Sequence, residues 1–91
     1  MNKARRKELM KLKERIENVR AEINDVNTEL ICNTQEEVQE YLDNMLENLQ
    51  GSEQAEKTQE TLDRLDEIIE TLETVTSELE DAETGIKEAC G

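Results

Sequence analysis

Carboxylates at helical spacing are the side chains of this chain that are best placed to do chemistry. They fall in two groups whose members are mostly three or four residues apart, so each group would line one side of a helix. The groups are Glu36, Glu37 and Glu40, and Asp63, Asp66, Glu67 and Glu70. Such a group can in principle hold a divalent cation. Helical di-iron sites, however, add a histidine three residues after a glutamate, and the sequence has none, so a solvated charged face is the favoured interpretation.

Nucleophilic and acid–base catalysis are disfavoured by the composition. Without histidine the chain has no imidazole base, and neither Cys32 nor Cys90 has a sequence neighbour that would activate its thiol. We therefore predict that the protein is not an enzyme. We expect no catalytic residue, no cofactor and no metal ligand.

The spacing of the apolar residues predicts two long helices. Apolar side chains recur every three or four residues in two stretches, which keeps one narrow face of each helix apolar. The first set is Leu9, Leu12, Ile16, Val19, Ile23, Val26 and Leu30. The second set is Ala55, Leu62, Leu65, Ile68, Ile69, Leu72, Val75, Leu79, Ala82, Ile86 and Ala89. Two such stripes in 91 residues predict one all-α domain, an antiparallel helical hairpin.

A turn is predicted near the middle of the chain. Gly51 interrupts the helix-forming sequence, and Ser52 can cap the helix that follows. We therefore predict a helix over about residues 2–43, a turn over about 44–52 and a helix over about 52–89. Together they form a single domain that spans residues 1–91.

The apolar spacing slips at residues 31–36. A continuous helix with a local stutter is the favoured interpretation, because steps of four residues restore the stripe. The alternative is a real break, at which Thr34 caps a second helix.

The predicted turn also sets which residues of the two helices face each other. Leu12 would lie opposite Ile86, and Val19 opposite Leu79, so large apolar side chains meet along the seam. The seam is wider at mid-length than two helices need. We therefore expect a homodimer, which would form a four-helix bundle.

Charge is divided unevenly along the chain, whose net charge is −13. Residues 1–15 hold seven basic and two acidic residues, a net charge of +5, so the remainder carries −18. In an antiparallel hairpin the basic start would lie beside the acidic end and pair with it. Direct binding to nucleic acid is disfavoured, because no aromatic residues accompany the basic stretch.

Neither export nor membrane insertion is predicted. The basic start has no apolar stretch behind it, as a signal peptide would, and no apolar run is long enough to cross a bilayer. Two cysteines do not make a disulfide scaffold either. We therefore expect a cytoplasmic protein.

Two segments carry a resemblance to a known family. Residues 40–53 read Glu-Tyr-Leu-Asp-Asn-Met-Leu-Glu-Asn-Leu-Gln-Gly-Ser-Glu, and residues 2–9 read Asn-Lys-Ala-Arg-Arg-Lys-Glu-Leu. They resemble small acidic coiled-coil proteins of Firmicutes phages and prophages, whose loop reads Asp-Asn-Met-Pro-Glu-Asn-Leu-Gln-Gly-Ser. The likeness covers most of the chain loosely and is specific only in the loop, where Leu46 replaces the family's proline and weakens the turn signal. It implies a phage or mobile-element origin, hence a bacterial host, and supplies no reaction or cofactor.

The leading functional hypothesis is a protein-binding module that contacts a host protein. Rows of carboxylates can imitate a phosphate backbone, so one form of it is an inhibitor of a host defence or nucleic-acid-processing protein. The alternative is a structural or scaffold protein of a phage that acts through self-association. The candidate partner-binding residues are Tyr41, Leu42, Met45, Leu46, Leu49, Asp63, Asp66, Glu67 and Glu70. For Tyr41, covering the end of the seam is favoured over being a binding hot spot.

Overall fold

The computed structural model describes residues 2–48 and 53–91, and every regular element within them is a helix. The first helical run comprises α1 (Lys3–Glu29), a π-helical segment (Leu30–Gln35) and α2 (Glu36–Asn48). The second run is α3 (Glu53–Cys90). The chain is thus an all-α helical hairpin, and the predicted fold class is confirmed.

The first helical run extends further than the sequence predicts. It continues to Asn48, so residues 44–48 of the predicted turn are helical. The physical reason is that Leu42 and Met45 are buried, and this packing stabilises the last turns of α2. The remainder of the predicted turn, residues 49–52, lies outside the described residues.

The slip at residues 31–36 corresponds to a π-helical segment and not to a break. Glu29 and Glu36, which flank the segment, both have α-helical backbone angles, and Glu29 forms no side-chain capping hydrogen bond. A π turn accommodates an extra residue, so it absorbs the slip while the helix continues. The continuous helix is therefore right, and the break capped by Thr34 is wrong.

Two compact units make up the hairpin. Unit 1 comprises residues 1–25 and 72–91, and unit 2 comprises residues 26–71. Each unit contains one segment from each helical run. Each is therefore a small antiparallel pair of helices with its own packing surface.

Unit 2 holds the most deeply buried apolar residues. Leu42, Met45, Ala55 and Leu62 form its core, and Val38 packs against them. Leu42 is only 2% exposed. Removing this apolar surface from water is the main force that holds α2 against α3.

In unit 1 the packing face of α1 differs from the predicted stripe. Leu9, Ile16 and Ile23 are partly buried, as predicted. Leu12 and Val19, however, are 41% and 53% exposed. The helix is therefore rotated, and these two of the five predicted stripe residues in this part of α1 lie beside the seam.

Longer polar side chains occupy the seam in place of the exposed apolar ones. Lys13 and Arg20 are partly buried on α1, and on α3 Glu83 is buried while Ala82 is exposed. On α3 this face continues, in steps of seven, a column of residues that are at least partly buried: Ala55, Leu62, Ile69, Thr76, Glu83 and Cys90. The aliphatic stems of Lys13 and Arg20 cover the seam on the other helix.

The same rotation is visible in unit 2. Val26 and Ile68, both members of the predicted stripes, are exposed. Their sequence neighbours Asn27 and Ile69 are buried instead. A polar residue, Asn27, is thus enclosed where the sequence predicts a valine.

Candidate binding surfaces

Glutamine side chains hold two aspartates of unit 2 in place within single helices. On α2, Nε2 of Gln39 donates a hydrogen bond to Oδ1 of Asp43 at 3.0 Å. On α3, Nε2 of Gln59 donates to Oδ1 of Asp63 at 3.1 Å. Each pair spans four residues, the separation at which side chains meet on a helix surface.

A third glutamine–aspartate bond joins the two helical runs of unit 2. Nε2 of Gln35, at the end of the π-helical segment, donates to Oδ1 of Asp66 on α3. Both residues line a shallow hollow of about 270 Å³, together with Glu36, Gln39 and Gln59. We call the residues of these three bonds the glutamine–aspartate face: Gln35, Gln39, Asp43, Gln59, Asp63 and Asp66.

Carboxylates dominate the charge of unit 2. Residues 26–71 contain thirteen acidic and two basic residues, a net charge of −11. One of the two, Arg64, lies 3.9 Å from Glu67, and because both side chains are largely exposed the pair neutralises little. Each aspartate of the glutamine–aspartate face accepts a hydrogen bond from its glutamine through one oxygen and can accept further hydrogen bonds. The face therefore presents oriented acceptors for a cationic partner.

The candidate partner-binding residues near the turn divide by burial. Leu42 and Met45 belong to the core of unit 2, so they are withdrawn from the candidate surface. Tyr41 is exposed, which leaves its ring accessible to a partner. The side chain of Leu46 and the whole of Leu49 lie outside the described residues.

The four acidic candidates, Asp63, Asp66, Glu67 and Glu70, are all exposed on α3. Asp63 and Asp66 belong to the glutamine–aspartate face, whereas Glu67 faces Arg64. Sequence reasoning missed the glutamines. Their spacing of four residues before an aspartate was a readable signal on each helix. The bond from Gln35 had no such signal, because it joins residues 31 positions apart.

Arg20 joins the two helices of unit 1. Its Nε donates to Oε2 of Glu83 at 2.6 Å, its Nη2 donates to Oε1 of Glu83 at 3.0 Å, and its Nη1 reaches Oε1 of Glu80 at 3.3 Å. The hydrogen bonding from Arg20 holds the pKa of the buried Glu83 carboxyl below its ordinary value, against the opposing effect of burial. This two-pronged, charge-assisted contact sets the alignment of α1 and α3 in unit 1.

The basic start of α1 is not neutralised through direct contacts with the acidic end. Within the described residues, Lys13 pairs with Glu17 on its own helix at 2.6 Å, and that hydrogen bond raises the pKa of Lys13. Among the basic residues of α1 that the structure describes, only Arg20 forms ion pairs with carboxylates of α3. Arg5 and Lys7 are exposed and take part in no ion pair of the described part of the chain. The predicted ion pairing of residues 1–15 with the acidic end is therefore wrong for the described residues, and Arg20, which lies beyond that basic start, makes the contact instead.

Unit 1 also carries an apolar groove of about 480 Å³. We call it the unit 1 groove, and it is lined by Leu12, Arg15, Ile16, Val19, Leu79 and Ile86. Leu12 and Ile86, predicted to face each other, both border it, and so do Val19 and Leu79. The groove exists because the rotated packing face of α1 leaves Leu12 and Val19 at its edge instead of closing them into the seam.

Metal binding and membrane insertion have no candidate site in the described residues. Among the side chains that the structure describes, those of residues 2–45 and 53–91, no group of three or more cysteines or carboxylates is arranged to hold a metal ion. Within the same ranges, no helix combines the length and apolar character that crossing a bilayer requires. Both cysteines are free thiols.

Compared with known proteins, the chain matches no protein family, no curated protein and no solved structure. Fold and surfaces therefore define its class: an acidic helical hairpin with two candidate binding surfaces, the glutamine–aspartate face of unit 2 and the unit 1 groove. The first surface is charged and the second is apolar. They suit different kinds of partner.

Proposed function

We propose that this chain is a non-enzymatic protein-binding module whose glutamine–aspartate face binds a basic surface of another protein. The observation that supports it is the hydrogen bonding of Asp43, Asp63 and Asp66 by glutamines on two packed helices. A carboxylate that is already held loses little side-chain entropy when a cation docks on it. The net charge of −11 in unit 2 draws a basic partner towards the face.

The spacing of the acidic residues suits a protein surface that otherwise binds nucleic acid. Asp63, Asp66 and Glu70 follow one another along α3 at roughly 4.5–6 Å of helical rise. A DNA strand carries one phosphate per roughly 3.4 Å, which is a similar density of negative charge. We therefore propose an inhibitor of a host defence or nucleic-acid-processing protein, phage-encoded and acting in the cytoplasm of the bacterial host.

Affinity capture with charge-neutralised variants tests this function. The purified chain is immobilised and exposed to a nuclease-treated bacterial lysate, and bound proteins are eluted with NaCl rising from about 50 to 500 mM, which screens surface charges. We expect nucleic-acid-binding proteins to be retained, to elute within this range and to be displaced by duplex DNA. The triple variant Asp43→Asn, Asp63→Asn, Asp66→Asn should retain them at least about 10-fold less, while each asparagine oxygen still accepts the glutamine hydrogen bond.

A matched control separates this particular face from net charge in general. Glu22→Gln, Glu73→Gln and Glu88→Gln remove the same number of charges from exposed positions of unit 1. Retention by this control should stay close to that of the unchanged chain. Equal loss in both variants would contradict a role for the glutamine–aspartate face, and retention that resists 500 mM NaCl would contradict binding through charge.

A second candidate function is structural, and the unit 1 groove favours it. Exposed apolar side chains beside a helical seam are typical of helices that pack against further helices. Self-association into a closed homodimer would be compatible with the binding module, whereas a scaffold protein would build a larger phage assembly from copies of the chain. Sedimentation distinguishes the two, because a scaffold forms species larger than a dimer and a closed module does not.

A further inference from the structure

We infer that the unit 1 groove is the site at which a second copy of this chain docks, so that two copies pair through unit 1. The inference rests on the self-association proposed above and names its surface. Leu12 and Val19 are 41% and 53% exposed although each lies one residue from the buried seam. With Ile16, Leu79 and Ile86 they make up the apolar lining of the groove, which Arg15 also borders. A second helical surface would remove that lining from water.

Charge selects unit 1 over unit 2 as the place where copies meet. Residues 1–25 hold eight basic and five acidic residues, and residues 72–91 hold one basic and six acidic residues. Unit 1 therefore carries only −2, whereas unit 2 carries −11. Two unit 2 surfaces would repel each other strongly, and two unit 1 surfaces would not.

The charges of unit 1 are also self-complementary. Arg5 and Lys7 on α1, and Glu78 and Asp81 on α3, are exposed and form no ion pair within the described residues. Each copy therefore presents basic side chains on α1 and acidic side chains on α3 that are available to a partner. In an isologous dimer the same patch serves both copies, so each basic α1 can lie beside the acidic α3 of its partner. A foreign partner would need this combination of an apolar seam and both charge signs, and a second copy already has it.

Sedimentation of a groove variant tests the inference. Leu12→Gln with Val19→Gln makes the edge of the groove polar at positions that are already exposed, so each copy should fold as before. Circular dichroism at a concentration where both proteins are monomeric checks that. We expect the unchanged chain to sediment as a closed dimer at about 100 µM and the double variant to dissociate at least about 100-fold more readily, since a dimer loses four aliphatic contacts.

Met10→Gln is the matched control. Met10 is also an exposed apolar residue of α1, 45% exposed, but it borders a charged hollow with Lys7, Lys11 and Lys13 instead of the groove. Its substitution should leave the dimer intact. A dimer that persists unweakened in the double variant would overturn the groove as the interface while self-association stands. If the unchanged chain stays monomeric at this concentration, both the groove as an interface between copies and self-association itself would be overturned. The groove could then bind only a different protein.

Discussion

Replacing Asn27 with leucine is predicted to stabilise the hairpin. Asn27 is 9% exposed, and its Oδ1 is buried with no hydrogen-bond partner in the described part of the chain. Enclosing a carbonyl oxygen without a partner costs about 1–3 kcal/mol. Leucine branches at Cγ as asparagine does, so its methyl groups can fill the same space with little repacking.

The magnitude follows from two contributions. Relief of the unpaired oxygen adds to the burial of two methyl groups, which contribute about 0.8 kcal/mol each. The free energy of unfolding should therefore rise by about 2.5–4.5 kcal/mol. For a domain of this size, about 4–8 °C accompany each kcal/mol, so Tm should rise by at least about 10 °C.

Thermal and urea denaturation, followed by circular dichroism at one protein concentration, measure this change. Asn18→Leu is the control, because Asn18 lies on the same helix and is exposed, and its substitution should alter stability by less than about 0.5 kcal/mol. Sedimentation checks that the compared proteins have the same oligomeric state, since a seam asparagine can also specify association. An unchanged or lower Tm for Asn27→Leu would refute the reasoning, because it would mean that the oxygen is satisfied in solution.

Three further predictions concern the ion pair, helix propensity and the packing of the core. Because the pKa of Glu83 is lowered in the folded chain, its bond to Arg20 stabilises fully above the ordinary value of 4.5 and is lost as the pH falls through the lowered value. The difference in Tm between the unchanged chain and Glu83→Gln should therefore shrink between about pH 6 and pH 3. Gly85→Ala should add up to about 1 kcal/mol of unfolding free energy in urea denaturation, since alanine favours helix and the new Cβ, apart from its chain neighbours and the adjacent backbone of α3, meets no atom of the described residues within 4 Å. Leu42→Ala should remove about 2–5 kcal/mol in the same assay, because this side chain is buried and leaves a cavity, whereas the exposed Ile68→Ala should remove less than about 1 kcal/mol.

Each of these predictions has an outcome that contradicts it. Glu80→Gln is the control for Glu83→Gln, because exposed Glu80 makes only one, longer contact with Arg20 in the described residues. The Tm of Glu80→Gln should depend on pH in nearly the same way as the Tm of the unchanged chain. If the difference in Tm between the unchanged chain and Glu83→Gln persists at acidic pH, Glu83 does not act through its charge. Lower stability of Gly85→Ala would show that its position is not open. Similar losses for Leu42→Ala and Ile68→Ala would contradict the assigned packing face.

Much of the candidate charged site could be predicted from the sequence, and its geometry could not. Asp63 and Asp66 stand out by their helical spacing, and the spacing of Gln39 to Asp43 also predicts a bond within one helix. The bond between Gln35 and Asp66 depends on how two distant segments align. Burial of Leu42, which withdraws it from the candidate surface, likewise depends on the opposite helix.

The periodic apolar residues by themselves determined that the chain is a helical hairpin, because stripes of this spacing can be buried only against other helices. They did not determine which side of α1 packs. Leu12 and Val19 look like better seam residues than Lys13 and Arg20 when one helix is considered alone.

Only the tertiary structure decided that question, because the choice of packing face depends on both helices at once. On α3 Glu83 is buried, and the double hydrogen bond from Arg20 to Glu83 joins residues 63 positions apart. The spacing of residues along one helix cannot predict such a contact, because it depends on a distant segment of the chain. The resulting rotation of α1 buries Arg20 in part and leaves an apolar groove on the surface of unit 1.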